Sequence, residues 1–161
     1  MIAIDSKVAG QLRDSTLTLS VAESCSGGLI SKRLTDIPGS SGYFLLGVVT
    51  YSNKTKEKVL GVPKELLEQY GAVSSEVAAA MAEGVRALSG SDLAIATTGI
   101  AGPDGGTAEK PVGTVLIAIT GPGGSEAFQY CFQGDRGMVR EATAEAALEL
   151  LSRRISATSV T

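Results

Sequence analysis

Three apolar runs limit what this chain can fold into. Leu17–Ala22 (LTLSVA), Leu45–Tyr51 (LLGVVTY) and Leu93–Thr98 (LAIATT) have the length and composition of strands. Each stops on a polar or glycine-rich stretch, and the residues between them recur at helical spacing. A strand whose successor lies a helix away is joined to it by a crossover, so the strands are expected to lie parallel with helices covering both faces. Thr114–Thr120 and Ser125–Phe132 flank Gly121-Pro122-Gly123-Gly124, which is hairpin chemistry and requires antiparallel pairing. The expected fold is therefore α/β: a three-layer α/β/α sandwich with a mixed, mostly parallel sheet.

Helices are expected over the first dozen residues, over Leu29–Leu34 ending near Pro38, and after Ser52 as far as Gly61. Others follow over Pro63–Tyr70, from Ser74-Ser75-Glu76 to about Leu88, and after Asp135. No linker or internal repeat divides the 161 residues, so a single domain over 1–161 is expected, with a tail frayed from about Ser156.

Composition removes whole classes of chemistry. The chain has no histidine, which eliminates Ser-His-Asp and Cys-His catalysis and every histidine-bearing zinc site. Two cysteines, Cys25 and Cys131, make neither a structural zinc site nor a disulfide framework. No metal and no cofactor are expected, and a reducing cytoplasm is the natural setting. A net charge of −3 with 4% aromatic residues gives no support for direct nucleic-acid contact. No apolar run reaches the roughly 18 residues of a membrane span. A homo-oligomer, dimer or larger, would be unsurprising for such a domain.

Ligands of open α/β sheets bind beyond the carboxyl ends of parallel strands. Three such ends are in view: Glu23-Ser24-Cys25-Ser26-Gly27-Gly28, Tyr51-Ser52-Asn53 and Thr98-Gly99-Ile100-Ala101-Gly102. Each has a plain structural explanation. Serines between a strand and a helix are ordinarily caps, and glycines there make the turn. Cys25 suits a small buried apolar position, and Tyr51 could simply pack. Lys56 would fall in the opening turns of the helix capped by Ser52, where the dipole is unfavourable to a cation and would lower its pKa. A neutral amine there could take a proton from serine without histidine. Spacing alone favours a solvated lysine on a lysine-rich face.

Seven segments, in order, resemble one known family. They are AESCSGG (Ala22–Gly28), DIPGSSGYF (Asp36–Phe44), GVVTYSNKTK (Gly47–Lys56), LGV (Leu60–Val62), YGAVSSEVAAAMA (Tyr70–Ala82), TGIAGPDGGTAEKPVGTV (Thr98–Val115) and FQGDR (Phe132–Arg136). Together the chain resembles the CinA carboxy-terminal domain family, or nicotinamide-nucleotide amidohydrolases. The resemblance implies metal-free cleavage of nicotinamide mononucleotide (NMN) to nicotinic acid mononucleotide and ammonia. It further implies Ser24 as nucleophile, Lys56 as its base and Tyr51 as a polar neighbour, with substrate held by Cys25–Gly28 and by the loop Thr98, Gly99, Ile100, Ala101, Gly102. Arg136 and Arg140 are expected at the phosphate, for which arginine forks are suited; surface ion pairing is the ordinary alternative for both. Ser26 stands where the family commonly has threonine, which also supplies a hydroxyl. Full-length members carry a molybdopterin-binding type of domain that nothing here matches, so a stand-alone deamidase or an excised domain is expected. Three competing readings remain: Cys25 as nucleophile, a non-catalytic nucleotide-binding module, and an interaction domain for competence or recombination proteins.

Overall fold

A computed structural model describes residues 1–159. Helix α1 (Ile4–Ser15) leads into strand β1 (Leu19–Glu23), α2 (Leu29–Thr35), a 3-10 turn at Ser40–Gly42 and β2 (Phe44–Val49). Helices α3 (Asn53–Leu60), α4 (Lys64–Tyr70) and α5 (Ser75–Ser89) precede β3 (Leu93–Gly99), the hairpin β4 (Thr114–Gly121) and β5 (Gly124–Cys131), and α6 (Arg136–Ser159). The order across the sheet is β2-β1-β3-β4-β5. β1 is parallel to both β2 and β3, whereas β3–β4 and β4–β5 are antiparallel. β4 thus runs against the other four, and the mixed, mostly parallel sandwich expected from the sequence is what forms.

The two faces of the sheet differ in side-chain size. Leu19, Val21, Ile95, Val115, Ile117 and Ile119 fill one side beneath α1, α2 and α6. Ala22, Ala94, Ala96, Leu116 and Ala118 line the other, where the alanine-rich α5 packs with Leu60 of α3 and Leu67 of α4. Small residues on both surfaces let α5 approach closely. Gly84 of α5 is part of that fit: a Cβ there would meet the Leu60 carbonyl oxygen at 2.0 Å.

Helix starts follow local chemistry. Ser52 Oγ accepts from Thr55 N, Ser74 Oγ from Val77 N and Asp135 Oδ1 from Met138 N. Helix α6 runs into the tail where fraying is expected from Ser156, as far as Ser159, whose Oγ donates to Ile155 O at 2.9 Å; the rest of that tail lies outside the described residues. No helix among the described residues is long and apolar enough to cross a membrane.

The parallel register positions the site. Glu23 is level with Val49 on one side and Thr97 on the other. The residues that follow all three strands therefore emerge along one edge, with β1 in the middle.

Candidate active site

Ser24 is the first residue beyond β1. Its N–H donates to Thr97 O at 3.0 Å, which anchors it to the end of β3. Its Oγ lies 3.1 Å from Lys56 Nζ. Lys56 reaches it from α3, and the two are 8% and 1% exposed. Lys56 Nζ also donates to the carbonyls of Thr50 (2.8 Å) and Tyr51 (3.1 Å). No carboxylate pairs with it among the described residues.

Burial pushes the Lys56 pKa below the usual lysine value, a smaller influence of Cys25 opposing it. A neutral amine carries two N–H bonds and one lone pair. As an ammonium, Lys56 donates to all three oxygens; once neutral, with both N–H bonds kept by the two carbonyls, its lone pair is left for the serine hydroxyl. The solvated lysine favoured by spacing alone is thereby corrected: Lys54 and Lys58 are the exposed lysines of α3, and Lys56 is buried.

Other expected site residues divide into those at the opening and those in its walls. Tyr51 is at the opening, 57% exposed, with its hydroxyl accepting from Arg136 Nη2 at 2.9 Å. Arg136 Nη1 donates to Gly102 O at 2.7 Å, and Arg140 Nη2 donates to Ser26 O at 3.1 Å. These arginines are one turn apart on α6, and neither forms an ion pair among the described residues. Gly27 (φ +60°) carries the chain past Arg140, where a Cβ would lie 3.2 Å from Nη2.

Several side chains face inward instead. Ser26 is fully buried, and its hydroxyl bonds to Glu23 Oε1 and Thr97 Oγ1, both at 2.7 Å. Thr98 Oγ1 donates to Ala72 O at 2.8 Å, tying down the segment before α5. Gly99 is paired with Val115 within the sheet, and Ala101 belongs to the core. Ile100 has both backbone groups paired, its N–H to Thr114 O and its carbonyl to Gly113 N. Of the loop Thr98–Gly102, the contact with the other site residues is therefore made through Gly102, and Ile100 offers no open amide to an anion.

Cys25 is buried, and that burial, ahead of all other influences, pushes its thiol up to about 12. A protonated, enclosed thiol is a poor nucleophile, which weakens the cysteine reading. Iodoacetamide at neutral pH is expected to modify the exposed Cys131 and spare Cys25; mass spectrometry checks this.

Thr50 and Thr97 were not legible as site residues. The sequence places Glu23 at the head of one of the three candidate strand ends but gives it no role. An acid in the stretch between a strand and an uncapped helix was the available signal, because α2 begins after Gly28 without a side-chain cap of its own.

The fold and its strand-end site define a class that comparison with known proteins identifies. A family model described as the CinA C-terminal domain matches residues 2–155. The chain is 60% identical over 152 residues to a CinA-like protein of Geotalea uraniireducens, covering 94% of this chain and 36% of that protein. It is 55% identical over 152 residues to a CinA-like protein of Geobacter sulfurreducens, with 94% and 37% covered. It thus spans little more than a third of the length of these curated relatives. The crystal structure of a competence/damage inducible protein from Agrobacterium tumefaciens matches with a TM-score of 0.87 at 43% identity, covering 92% of this chain and 93% of that one. A CinA superfamily protein from Klebsiella pneumoniae matches at 0.92 and 34% identity, covering 95% and 96%. The chain belongs to the CinA C-terminal domain family.

Proposed function

We propose that this domain hydrolyses the carboxamide of nicotinamide mononucleotide, with Ser24 as nucleophile and Lys56 as general base. The observation that carries this reading is the buried Ser24 Oγ–Lys56 Nζ contact of 3.1 Å, with two backbone carbonyls taking the other hydrogen bonds of the amine.

Ser24 Oγ bonds to the carboxamide carbon as Lys56 takes the hydroxyl proton. The tetrahedral adduct collapses with cleavage of the C–N bond, and Lys56 returns the proton to the departing ammonia. Water then attacks the acyl ester, giving its proton to Lys56, and the Ser24 oxygen leaves with that proton. Tyr51 meets Lys56 through its backbone carbonyl, and its phenol is held by Arg136, so Lys56 alone carries the proton. The N–H groups of Cys25, Ser26 and Gly28, in the turn beside Ser24, make no backbone hydrogen bond among the described residues and are candidate donors to the developing oxyanion. A well-placed donor of that kind is worth about 2.7–4 kcal/mol. Ser24 and Gly27 amides are already occupied, by Thr97 O and Ser24 O.

Arg136 and Arg140 supply two guanidinium groups without counter-ions at the same opening, the chemistry a phosphate monoester requires. Arg136→Ala is expected to raise KM for NMN about tenfold, the scale of one charge-assisted hydrogen bond. Nicotinamide riboside, which lacks the phosphate, should show little change. An equal loss for both substrates would remove Arg136 from the phosphate.

Purified protein incubated with NMN should release ammonia and nicotinic acid mononucleotide in equal amounts. If NMN binds and stays intact, the catalytic reading fails and a nucleotide-binding module replaces it.

A further inference from the structure

Glu23 is fully buried, and the reaction above does not use it. Its carboxylate accepts four hydrogen bonds. Oε1 takes Ser26 Oγ–H (2.7 Å) and Ile30 N–H (2.9 Å); Oε2 takes Ser31 N–H (3.0 Å) and Ser31 Oγ–H (2.8 Å). Because the Ser26 proton is directed at Glu23, the 2.7 Å contact between Ser26 and Thr97 is made by the Thr97 hydroxyl donating. A directed chain therefore runs from Thr97 on β3, through Ser26 in the turn, to Glu23 on β1.

Glu23 ends β1 and Ser24 opens the bend that follows, and their side chains are held on opposite faces of the sheet. Glu23 faces α2, and Ser24 faces Lys56 on α3. One side chain therefore grips the first turn of α2 while its neighbour presents the nucleophile. We propose that Glu23 is a positioning residue for Ser24. It clamps the turn Ser24–Gly28 between α2 and β3 and so sets the direction of Ser24 Oγ toward Lys56. This assignment rests on the Ser24–Lys56 reading of the site.

A second consequence concerns where an anion can bind. Strand–turn–helix units often receive a ligand anion on the first amides of the helix. Here Glu23 occupies the amides of Ile30 and Ser31, and Leu29 N donates to Ser26 O. The chain's own carboxylate fills that place, so a substrate phosphate is directed to α6 and its arginines instead.

Glu23→Gln tests the assignment because a carboxamide cannot replace four acceptor contacts. Either orientation sets its NH2 against a backbone N–H, of Ile30 or of Ser31, which cannot reverse its direction. Labelling of Ser24 by an uncharged fluorophosphonate measures alignment independently of NMN: the Oγ–P bond forms, fluoride leaves, and Lys56 takes the serine proton. Glu23→Gln and Ser26→Ala, assayed well below their melting temperatures, should label about 10- to 100-fold more slowly, the cost of a displaced reacting atom. They should lose kcat for NMN with KM little changed. Ser91→Ala serves as the structural control. It removes a buried hydroxyl bonded to Ser20 Oγ at the opposite end of the sheet, so it should lower the melting temperature and leave labelling unchanged.

Labelling of folded Glu23→Gln at the wild-type rate would overturn the proposal. If that variant does not fold, Ser26→Ala at the wild-type rate overturns it. Wild-type protein that labels at Ser24 but releases no ammonia from NMN defeats the substrate assignment and leaves the role of Glu23 standing. Wild-type protein that fails to label defeats the dyad, and the positioning role with it.

Discussion

Ser24→Ala protein should release ammonia from NMN at least about 10³-fold more slowly than wild type, as loss of the nucleophile does in other hydrolases. The fold should survive. The Ser24 side chain is a single small hydroxyl at the edge of the sheet, and its backbone bond to Thr97 O does not depend on it. NMN binding should persist, because the arginines at the opening are untouched. Isothermal titration of NMN beside an ammonia assay separates the two quantities. Activity within tenfold of wild type would remove Ser24 from catalysis; loss of both binding and activity would point to a damaged site instead.

Lys56→Met is expected to be as damaging to turnover, and its pH dependence is more informative. The proposed mechanism requires the neutral amine, so kcat/KM of the wild type should rise with pH as Lys56 loses its proton. Burial holds that transition below the ordinary lysine value. The rising limb should be absent from whatever activity Lys56→Met retains. A wild-type profile that lacks such a limb, or a methionine variant with full activity, would rule out Lys56 as the base.

The same shift links stability to pH. The unfolded chain holds the Lys56 proton up to the ordinary lysine pKa, whereas the folded chain releases it earlier. Between those two values the unfolded state binds more protons, so folding stability rises with pH across that window. It is lost as pH falls through the folded pKa and is constant below it. Methionine does not titrate. Relative to wild type, Lys56→Met should therefore be favoured most at and below the folded pKa, with the difference shrinking as pH climbs toward the ordinary lysine value. Urea unfolding of both proteins across alkaline pH measures this, and a difference that grows with pH would contradict a depressed Lys56.

Which parts were readable in advance follows from how far each interaction reaches along the chain. Ser52, Ser74 and Asp135 cap their helices with bonds to amides three residues on, and all three were identified from sequence. The strands were found within one or two residues, because their apolar runs are continuous. Roles for Ser24, Lys56 and Tyr51 came from family resemblance rather than from spacing, and Lys56 shows why. Alternation along α3 makes Lys54, Lys56 and Lys58 look alike, and only the packing of Leu60 against α5 decides which one turns inward.

The hydroxyl groups of Ser26 and Thr98 illustrate the opposite limit. Both residues lie in glycine-rich strand ends suited to ligand binding, yet beside the local bond from Ser26 to Glu23 they reach Thr97 and Ala72, 71 and 26 residues away. No local pattern encodes such contacts. The order of elements, the helix caps and the absence of histidine-based chemistry were determined by the sequence alone, since each depends on composition or on neighbours within a few residues. The burial of Lys56, its contact with Ser24 across 32 residues of chain, and the enclosure of Glu23 were decided by the tertiary structure. Their physical cause is the removal of water from groups that only the packed sheet and helices bring together.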